Sequence, residues 1–404
     1  MSGSKNAALP VLCSSILADG PCTYTNVPDL RDISTMCQVL EGLGMSSTIT
    51  PDNTVTIDPR SVDTLEAPYD LVKKMRASIL VLGPLLARYG RAKVSLPGGC
   101  AIGVRPIDMH LKAFAKMGAE IDLSHGYVVA RTNRLKGTRI VFDKTTVGGT
   151  ENVMMAAVMA EGTTIIEGAA REPEVVDLAG VLVAMGAHIE GAGSDTLTIE
   201  GVQSLSGVTY NVIPDRIEAG TFLVAAGMTK GRITIEGARI DHIAAIVEKL
   251  GEMGMVISET PSGTIVVDGE CDLVPVDVET VPYPGFPTDM QAQVMALACL
   301  ARGVSSVTEN IFENRFMHVS ELMRMGAILE EKGRTVIVRG IDRFQGASVM
   351  ATDLRASASL VLAGLNARGT TEIRRIYHLD RGYERLEKKL NALGADISRE
   401  KGPL

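Results

Sequence analysis

The segment Ser95-Leu96-Pro97-Gly98-Gly99-Cys100-Ala101-Ile102-Gly103-Val104-Arg105-Pro106 sets a thiol among three glycines, with an arginine five residues further on. Glycines give a backbone the freedom that a closing flap needs. A nearby cation and the start of a helix both lower a thiol pKa from its free value of about 8.5. Cys100 therefore has the setting of a reactive thiol. The alternative, an inert buried hydrophobe, suits Cys13, Cys37 and Cys299, which lie in apolar helical runs.

Arginines form a second group. Six equivalent stretches read Pro28-Asp29-Leu30-Arg31, Arg105-Pro106-Ile107-Asp108, Arg171-Glu172-Pro173-Glu174, Arg239-Ile240-Asp241-His242, Asn314-Arg315-Phe316-Met317 and Asp380-Arg381-Gly382-Tyr383. Each opens a helix, where the macrodipole is positive and a cation costs about 0.3–1 kcal/mol at an exposed site. A neighbouring carboxylate accounts for any single one, as Asp380 would for Arg381. Several together on related helices point to a shared, multiply anionic ligand, which helix N-termini would help to bind. The starts of the preceding helices add Lys5, Asp215-Arg216, Asp289, Asp353 and Arg355. The cleft between two domains is the expected place for that ligand.

The equivalence rests on an internal repeat. Leu43-Gly44-Met45, Met117-Gly118-Ala119, Met185-Gly186-Ala187, Met253-Gly254-Met255, Met325-Gly326-Ala327 and Leu393-Gly394-Ala395 each close a helical run before a short apolar stretch. Their glycines are 74, 68, 68, 72 and 68 residues apart, the signature of one unit copied six times. Each copy reads as a very apolar first helix, a strand such as Thr163–Glu167 or Val304–Glu309, an amphipathic second helix and further strands. First helices such as Asn152–Ala160 are apolar on every face, so helices are expected inside and sheets outside.

A chain of 404 residues suggests two domains, with a break near Asn211-Val212-Ile213-Pro214. Residues 5–213 would carry repeats one to three and the cysteine flap. Residues 1–4 and 214–404 would carry repeats four to six. The net charge of −8 argues against a nucleic-acid partner. Six cysteines without a CxxC pair suit reduced thiols in a cytosol, and the six histidines lack metal-ligand spacing. The run Ala7–Ala18 after Lys5 has the outline of a secretory leader, but Pro10, Ser14 and Ser15 interrupt it and it aligns with the other first helices. No apolar run approaches the roughly 20 residues of a membrane span.

The segments Ser4–Pro10, Ser95–Pro106, Phe286–Gln293, Glu313–His318, Asp353–Ser357 and Asp380–Arg385 together closely resemble the UDP-N-acetylglucosamine branch of the enolpyruvyl transferase family. The likeness runs in register from Ser2 to the C-terminus, and the Gly-Gly-Cys flap followed by Arg-Pro is specific to that branch. It implies an α/β fold of two inside-out α/β barrels, six repeats of a βαβαββ-type unit with three per domain, and an active site in the interdomain cleft. Family members usually carry a further strand ahead of the Ser-Lys-Asn turn, whereas Met1 stands directly at it.

The resemblance also implies a reaction. The enolpyruvyl group of phosphoenolpyruvate passes to the 3′-hydroxyl of UDP-N-acetylglucosamine with release of phosphate, by addition and elimination, as the committing step of bacterial peptidoglycan synthesis in the cytoplasm. No cofactor, metal or obligate protein partner is implied. Cys100 matches the flap thiol that acts as acid or covalent tether, and Asp289 the carboxylate that takes the hydroxyl proton. Lys5, Arg105 and Arg381 match the group around the donor phosphate, with Arg315 and Arg355 near its carboxylate and Arg76 nearby. Asn6 and Asp289 fall on the sugar. Arg76, Arg105, Pro106, Asp108 and Met109 fall on the uridine side, Lys144, Thr146, Val147 and Gly148 by the diphosphate, with Ile311 completing the set. Thr146 stands where serine is commoner, and it keeps the hydroxyl. Two rivals are a shikimate-3-phosphate enolpyruvyl transferase, against which the flap weighs, and a non-catalytic binder of the sugar nucleotide.

Overall fold

A computed structural model describes residues 1–73, 75–96 and 107–400. Those between 2 and 214 form one compact unit, and Met1 with residues 215–400 forms another.

In the first unit, copy one runs α1 (Lys5–Ser14), β1 (Cys22–Thr25), α2 (Arg31–Gly42), β2 (Ser46–Ile49) and β3 (Val55–Asp58). Copy two runs β4 (Glu66–Ala67), a single turn α3 (Tyr69–Val72), α4 (Leu82–Tyr89), β5 (Arg91–Ser95), α5 (Asp108–Lys116), β6 (Glu120–Ser124) and β7 (Tyr127–Arg131). Copy three runs β8 (Arg139–Val141), α6 (Val147–Ala157), β9 (Thr163–Glu167), α7 (Pro173–Ala184), β10 (His188–Glu190) and β11 (Thr196–Glu200), followed by β12 (Thr209–Asn211). The three sheets share one order, β12-β1-β3-β2, β4-β5-β7-β6 and β8-β9-β11-β10. In each, the outer strand is parallel to its neighbour and the rest alternate in direction. β12, made after the third copy, supplies the outer strand of the first.

The second unit holds α8 (Arg216–Thr229), β13 (Arg232–Ile235), α9 (Ala244–Glu252), β14 (Val256–Glu259) and β15 (Ile265–Asp268). It continues with β16 (Asp277–Glu279), α10 (Gln291–Ala298), β17 (Val304–Thr308), α11 (His318–Arg324), β18 (Ile328–Lys332) and β19 (Thr335–Arg339). The last copy is β20 (Ser348–Met350), α12 (Leu354–Asn366), β21 (Glu372–Arg374) and α13 (Leu386–Ala392). Sheet β16-β17-β19-β18 repeats the four-strand order. Among the described residues β13-β15-β14 has three strands and β20-β21 two, so copies four and six fall short of the full pattern.

Every repeat phrase ends its second helix in the same way. Gly44, Gly118, Gly186, Gly254, Gly326 and Gly394 all have φ between 92° and 110°. Each glycine N–H bonds the carbonyl three residues back, and the next residue bonds the carbonyl five back, as in Gly186→Val183 and Ala187→Leu182 at 2.9 Å. This is the Schellman cap, which satisfies the helix's last carbonyls and needs a residue at ease in the left-handed region. That requirement, met six times, is what makes the repeat visible in the sequence.

The first helices are cores. Every residue of α8 from Ile217 to Met228 is buried, as is all of α10. Close approach demands small residues: a methyl group on Gly83 of α4 would stand 2.2 Å from the carbonyl oxygen of Asn152 on α6. Second helices bury one face only, Ile246 and Leu250 on α9 and Ala113 and Phe114 on α5. Strands such as β3 and β9 alternate, presenting one face to the helices. Within each unit helices thus lie inside and sheets outside. Each fully buried Leu, Ile or Met contributes about 1.5–3 kcal/mol. No helix among the described residues is long and apolar enough to cross a membrane.

Candidate active site

In the second unit the starts of the first helices bring charge together. Asp289 sits in the 3-10 turn that leads into α10, and Asp353 caps α12 by accepting from the N–H groups of Arg355 and Ala356 at 2.8 and 3.1 Å. That cap directs Arg355 at Asp289. Its Nη2 and Nε lie 2.8 and 3.2 Å from Oδ2. Arg315, from the loop ahead of α11, takes the other oxygen through Nη2 at 2.6 Å. The two guanidiniums are 3% and 6% exposed, whereas the Asp289 side chain keeps a quarter of its surface open.

Arg315 is held in turn. Its Nη1 donates to Thr288 at 2.8 Å, and Thr288 donates to Glu309 at 2.8 Å. Glu309 also accepts from the Thr280 hydroxyl and from the N–H groups of Ile311 and Phe312. The guanidinium lies over the Phe312 ring, 5.1 Å from its centre. Burial opposes ionisation of Asp289, but Arg355 and Arg315 outweigh it and hold the carboxyl well below its usual range. The site therefore presents a fixed, ionised carboxylate with one open side. Such a group can accept a hydrogen bond or a proton from a hydroxyl. Arg381 ends the 3-10 turn Ile376–Arg381, half-buried and close enough to help lower the pKa of His378, after burial and Arg375.

The first unit gathers a different set. Lys5 opens α1 and is 12% exposed, with Nζ 3.6 Å from Asp32 on α2. Its turn is anchored: the Ser4 N–H donates to Ile213 at 2.7 Å, and the Ser4 hydroxyl caps the helix. Asn6 follows, half-buried. Thr146 caps α6, its hydroxyl accepting from Gly149 N–H at 3.2 Å, with Val147 exposed and Gly148 half-buried beyond it. Lys144 is exposed just upstream. The first N–H groups of α6 form the kind of cradle that suits a phosphate.

His110 on α5 stands behind Gly148, its Nε2 3.9 Å from where a glycine side chain would begin. Asn152 Nδ2 donates to His110 Nδ1 at 3.0 Å and to Ile79 carbonyl at 3.0 Å, while its Oδ1 accepts from Gly83 at 2.7 Å. Burial, with the nearby charge of Arg76, lowers the His110 pKa to about 4, so the ring is neutral with its proton on Nε2. Asp108 and Met109 immediately precede His110 at the start of α5, and Asp108 pairs with Lys112 at 3.0 Å. Arg76 starts the 3-10 helix Arg76–Val81. Glu151 on α6 is buried, and burial with Glu174 and Glu172 pushes its carboxyl well above the usual range.

Cys100, Arg105 and Pro106 lie outside the described residues. Of the other expected residues, the structure joins Asp289, Arg315 and Arg355 directly, with Ile311 on the Glu309 bracket. Arg315 and Arg355, expected beside a donor carboxylate, meet a carboxylate of the protein itself. The arginines that recur at second-helix starts do not share one fate. Arg171 donates to Gly193 carbonyl, Arg239 pairs with Asp241, and Arg31 is exposed. Asp380, the neighbouring carboxylate that would account for Arg381, binds Arg399 at 2.8 Å. His110, Asn152, Thr288 and Glu309 were not anticipated. His110 directly follows Asp108-Met109, and that adjacency was the available signal. Among the described residues no three His, Cys, Asp or Glu side chains gather as a metal ion requires.

The family model for EPSP synthase (3-phosphoshikimate 1-carboxyvinyltransferase) matches residues 1–390. A UDP-N-acetylglucosamine 1-carboxyvinyltransferase from Nitratidesulfovibrio vulgaris strain DP4 is 60% identical over 400 residues, covering 99% of this chain and 95% of the relative. The crystal structure of the enolpyruvyl transferase NikO from Streptomyces tendae matches with a TM-score of 0.89 at 28% identity, over 100% of this chain and 96% of that one. An EPSP synthase from Acinetobacter baumannii matches with a TM-score of 0.76 at 20% identity, over 98% and 95%, a likeness of fold alone.

Proposed function

This chain belongs to the EPSP synthase family of 1-carboxyvinyltransferases, and from that premise we propose that it transfers the enolpyruvyl group of phosphoenolpyruvate to the 3′-hydroxyl of UDP-N-acetylglucosamine, releasing phosphate. The observation that carries the choice of acceptor is the 60% identity, over nearly the whole chain, to enzymes named for that sugar nucleotide. Behind a shikimate-3-phosphate acceptor stand the description of the family model and a likeness of fold at 20% identity, against that 60% identity to enzymes of the other acceptor. The step belongs to peptidoglycan synthesis in the bacterial cytoplasm and needs only the two small-molecule substrates.

In the addition, the sugar hydroxyl oxygen bonds to C2 of phosphoenolpyruvate, its proton leaves, and C3 gains a proton. In the elimination, C3 gives up a proton and the C2–O bond to phosphate breaks. Asp289 is the acceptor of the hydroxyl proton. A carboxylate held so far toward its ionised form is a weak base, so it takes that proton only as the C–O bond forms and the hydroxyl turns acidic. Arg315 and Arg355 keep it ionised and aimed. Cys100 is the acid or covalent tether at the donor carbon.

Lys5, Arg105 and Arg381 meet the donor phosphate, with Arg76 nearby, and the inner arginines also attract its carboxylate. The α6 start, with Lys144, Thr146, Val147 and Gly148, meets the diphosphate. Asn6, Asp108, Met109, Pro106 and Ile311 line the sugar and uridine. Phosphate release measured with phosphoenolpyruvate and each acceptor tests the proposal. Release with UDP-N-acetylglucosamine and none with shikimate-3-phosphate supports it, and tight sugar-nucleotide binding without release would make the chain a binder instead.

A further inference from the structure

Tyr383 lies just beyond the 3-10 turn that ends at Arg381, and it is 2% exposed. The Arg355 guanidinium sits over its ring, 5.4 Å from the centre. The Tyr383 hydroxyl lies 2.8 Å from the Thr221 hydroxyl on α8 and 3.1 Å from Gln293 Nε2 on α10. The direction of these bonds follows from the groups. Thr221 donates to the Ile217 carbonyl at 2.7 Å, so it accepts from Tyr383. Tyr383 therefore accepts from the Gln293 amide. The second proton of that amide goes to the backbone carbonyl of Asp289 at 2.9 Å. One directed chain thus runs from Gln293 through Tyr383 and Thr221 to Ile217. Its first member grips the Asp289 main chain, and its middle member supports the cation on the Asp289 side chain.

We propose that Tyr383 is a positioning residue for Asp289, fixing the plane of Arg355 with its ring and the Asp289 main chain through the hydroxyl-bound amide of Gln293. The inference rests on the reaction proposed above, and it adds to it the element that aims the proton acceptor. Nothing in it requires Tyr383 to touch a substrate. Burial favours the protonated phenol, against the pull of Arg355, which suits a hydroxyl that must donate. The charged groups that face Asp289 are Arg315 and Arg355; Tyr383 and Asp215, at the start of α8, face Arg355, Glu309 is reached through Thr288, and His318 lies near both Arg315 and Asp353. Of these, Tyr383 touches both the cation that holds the carboxylate and the amide that holds the Asp289 main chain.

The test uses the full-length protein and the variants Tyr383→Phe, which keeps the ring, and Gln293→Met, which keeps the side-chain length. Each is expected to lower kcat about tenfold with both KM values nearly unchanged, as misplacement of a reacting group does. The double variant should be no worse than the worse single, because both act through one network. A second readout does not need turnover: the Asp289 carboxyl titration, followed by carbon NMR, should rise by about half a pH unit or more in Tyr383→Phe, as the Asp289 main chain loses its hold through Gln293 and the carboxylate shifts from Arg355. Tyr383→Phe with unchanged kcat and an unmoved Asp289 titration would overturn the inference, whatever its melting temperature. A wild-type protein silent on both substrates, in which the titration nevertheless shifts on Tyr383→Phe, would overturn the reaction and leave the positioning role standing.

Discussion

Arg355 meets a single oxygen of Asp289 with two of its nitrogens, Nη2 at 2.8 Å and Nε at 3.2 Å, leaving the second oxygen to Arg315. The carboxylate is thereby fixed in plane and orientation by side chains from two different repeats.

Replacing Asp289 by alanine should reduce kcat by about 10²–10⁴, the usual worth of a positioned acid or base, with much less effect on sugar-nucleotide affinity. It should also destabilise the fold by about 3–5 kcal/mol, because two buried guanidiniums lose their counter-charge. Steady-state kinetics and urea unfolding on the same protein check both, and near-normal turnover removes Asp289 from the base role.

Labelling by an epoxide phosphonate such as fosfomycin should add one equivalent to the wild type and none to Cys100→Ser. The five remaining thiols are poor competitors, since burial raises every one of them, Cys37 to about 11 and Cys299 to about 12. Intact mass decides, and label persisting in Cys100→Ser would point to another cysteine.

Stability should fall as the solution is acidified from about pH 6.5 to about pH 4. His110 and His318 are each lowered to about 4 by burial, with Arg76 and Arg315 respectively adding to it and Asp108 and Asp353 opposing it. The unfolded chain binds their protons across that window and the folded chain does not, so each contributes stability above it, on the order of 3 kcal/mol, that is lost on descent. Asp289 has the same sign but acts lower, below the ordinary carboxylate value. Urea midpoints at pH 7.5 and 4.5 measure the loss. His110→Asn should flatten the slope, and an unchanged slope would mean that His110 already titrates normally.

Gly118→Ala should cost about 1–2 kcal/mol although a methyl group there meets nothing within 4 Å. The penalty comes from the backbone alone, at φ +93°. A thermal shift no larger than that of an exposed alanine substitution elsewhere would show that the cap tolerates a side chain.

The repeat and the inside-out layering were legible because both leave local marks: a glycine that must be left-handed, and helices apolar on every face. The charges at first-helix starts were legible for the same reason. What they do was not. Arg315 and Arg355 come from repeats five and six, and only folding shows that they converge on Asp289 rather than standing apart for a ligand. The His110–Asn152 contact joins residues 42 apart through a helix crossing that no spacing announces. Which sheets of the second unit would be shorter was equally hidden, since strand pairing is settled by neighbours distant in the chain.

The strand that borders the first sheet of the first unit, β12, is among the last of that unit to leave the ribosome. Until Asn211 has been synthesised, β1 has no parallel neighbour, and the turn that carries Lys5 lacks the Ile213 carbonyl that secures it. The three copies can then close on one another only at the end of the unit's own translation, so a nascent chain stopped earlier would hold helices α1 to α7 with the turn of Lys5 still untethered.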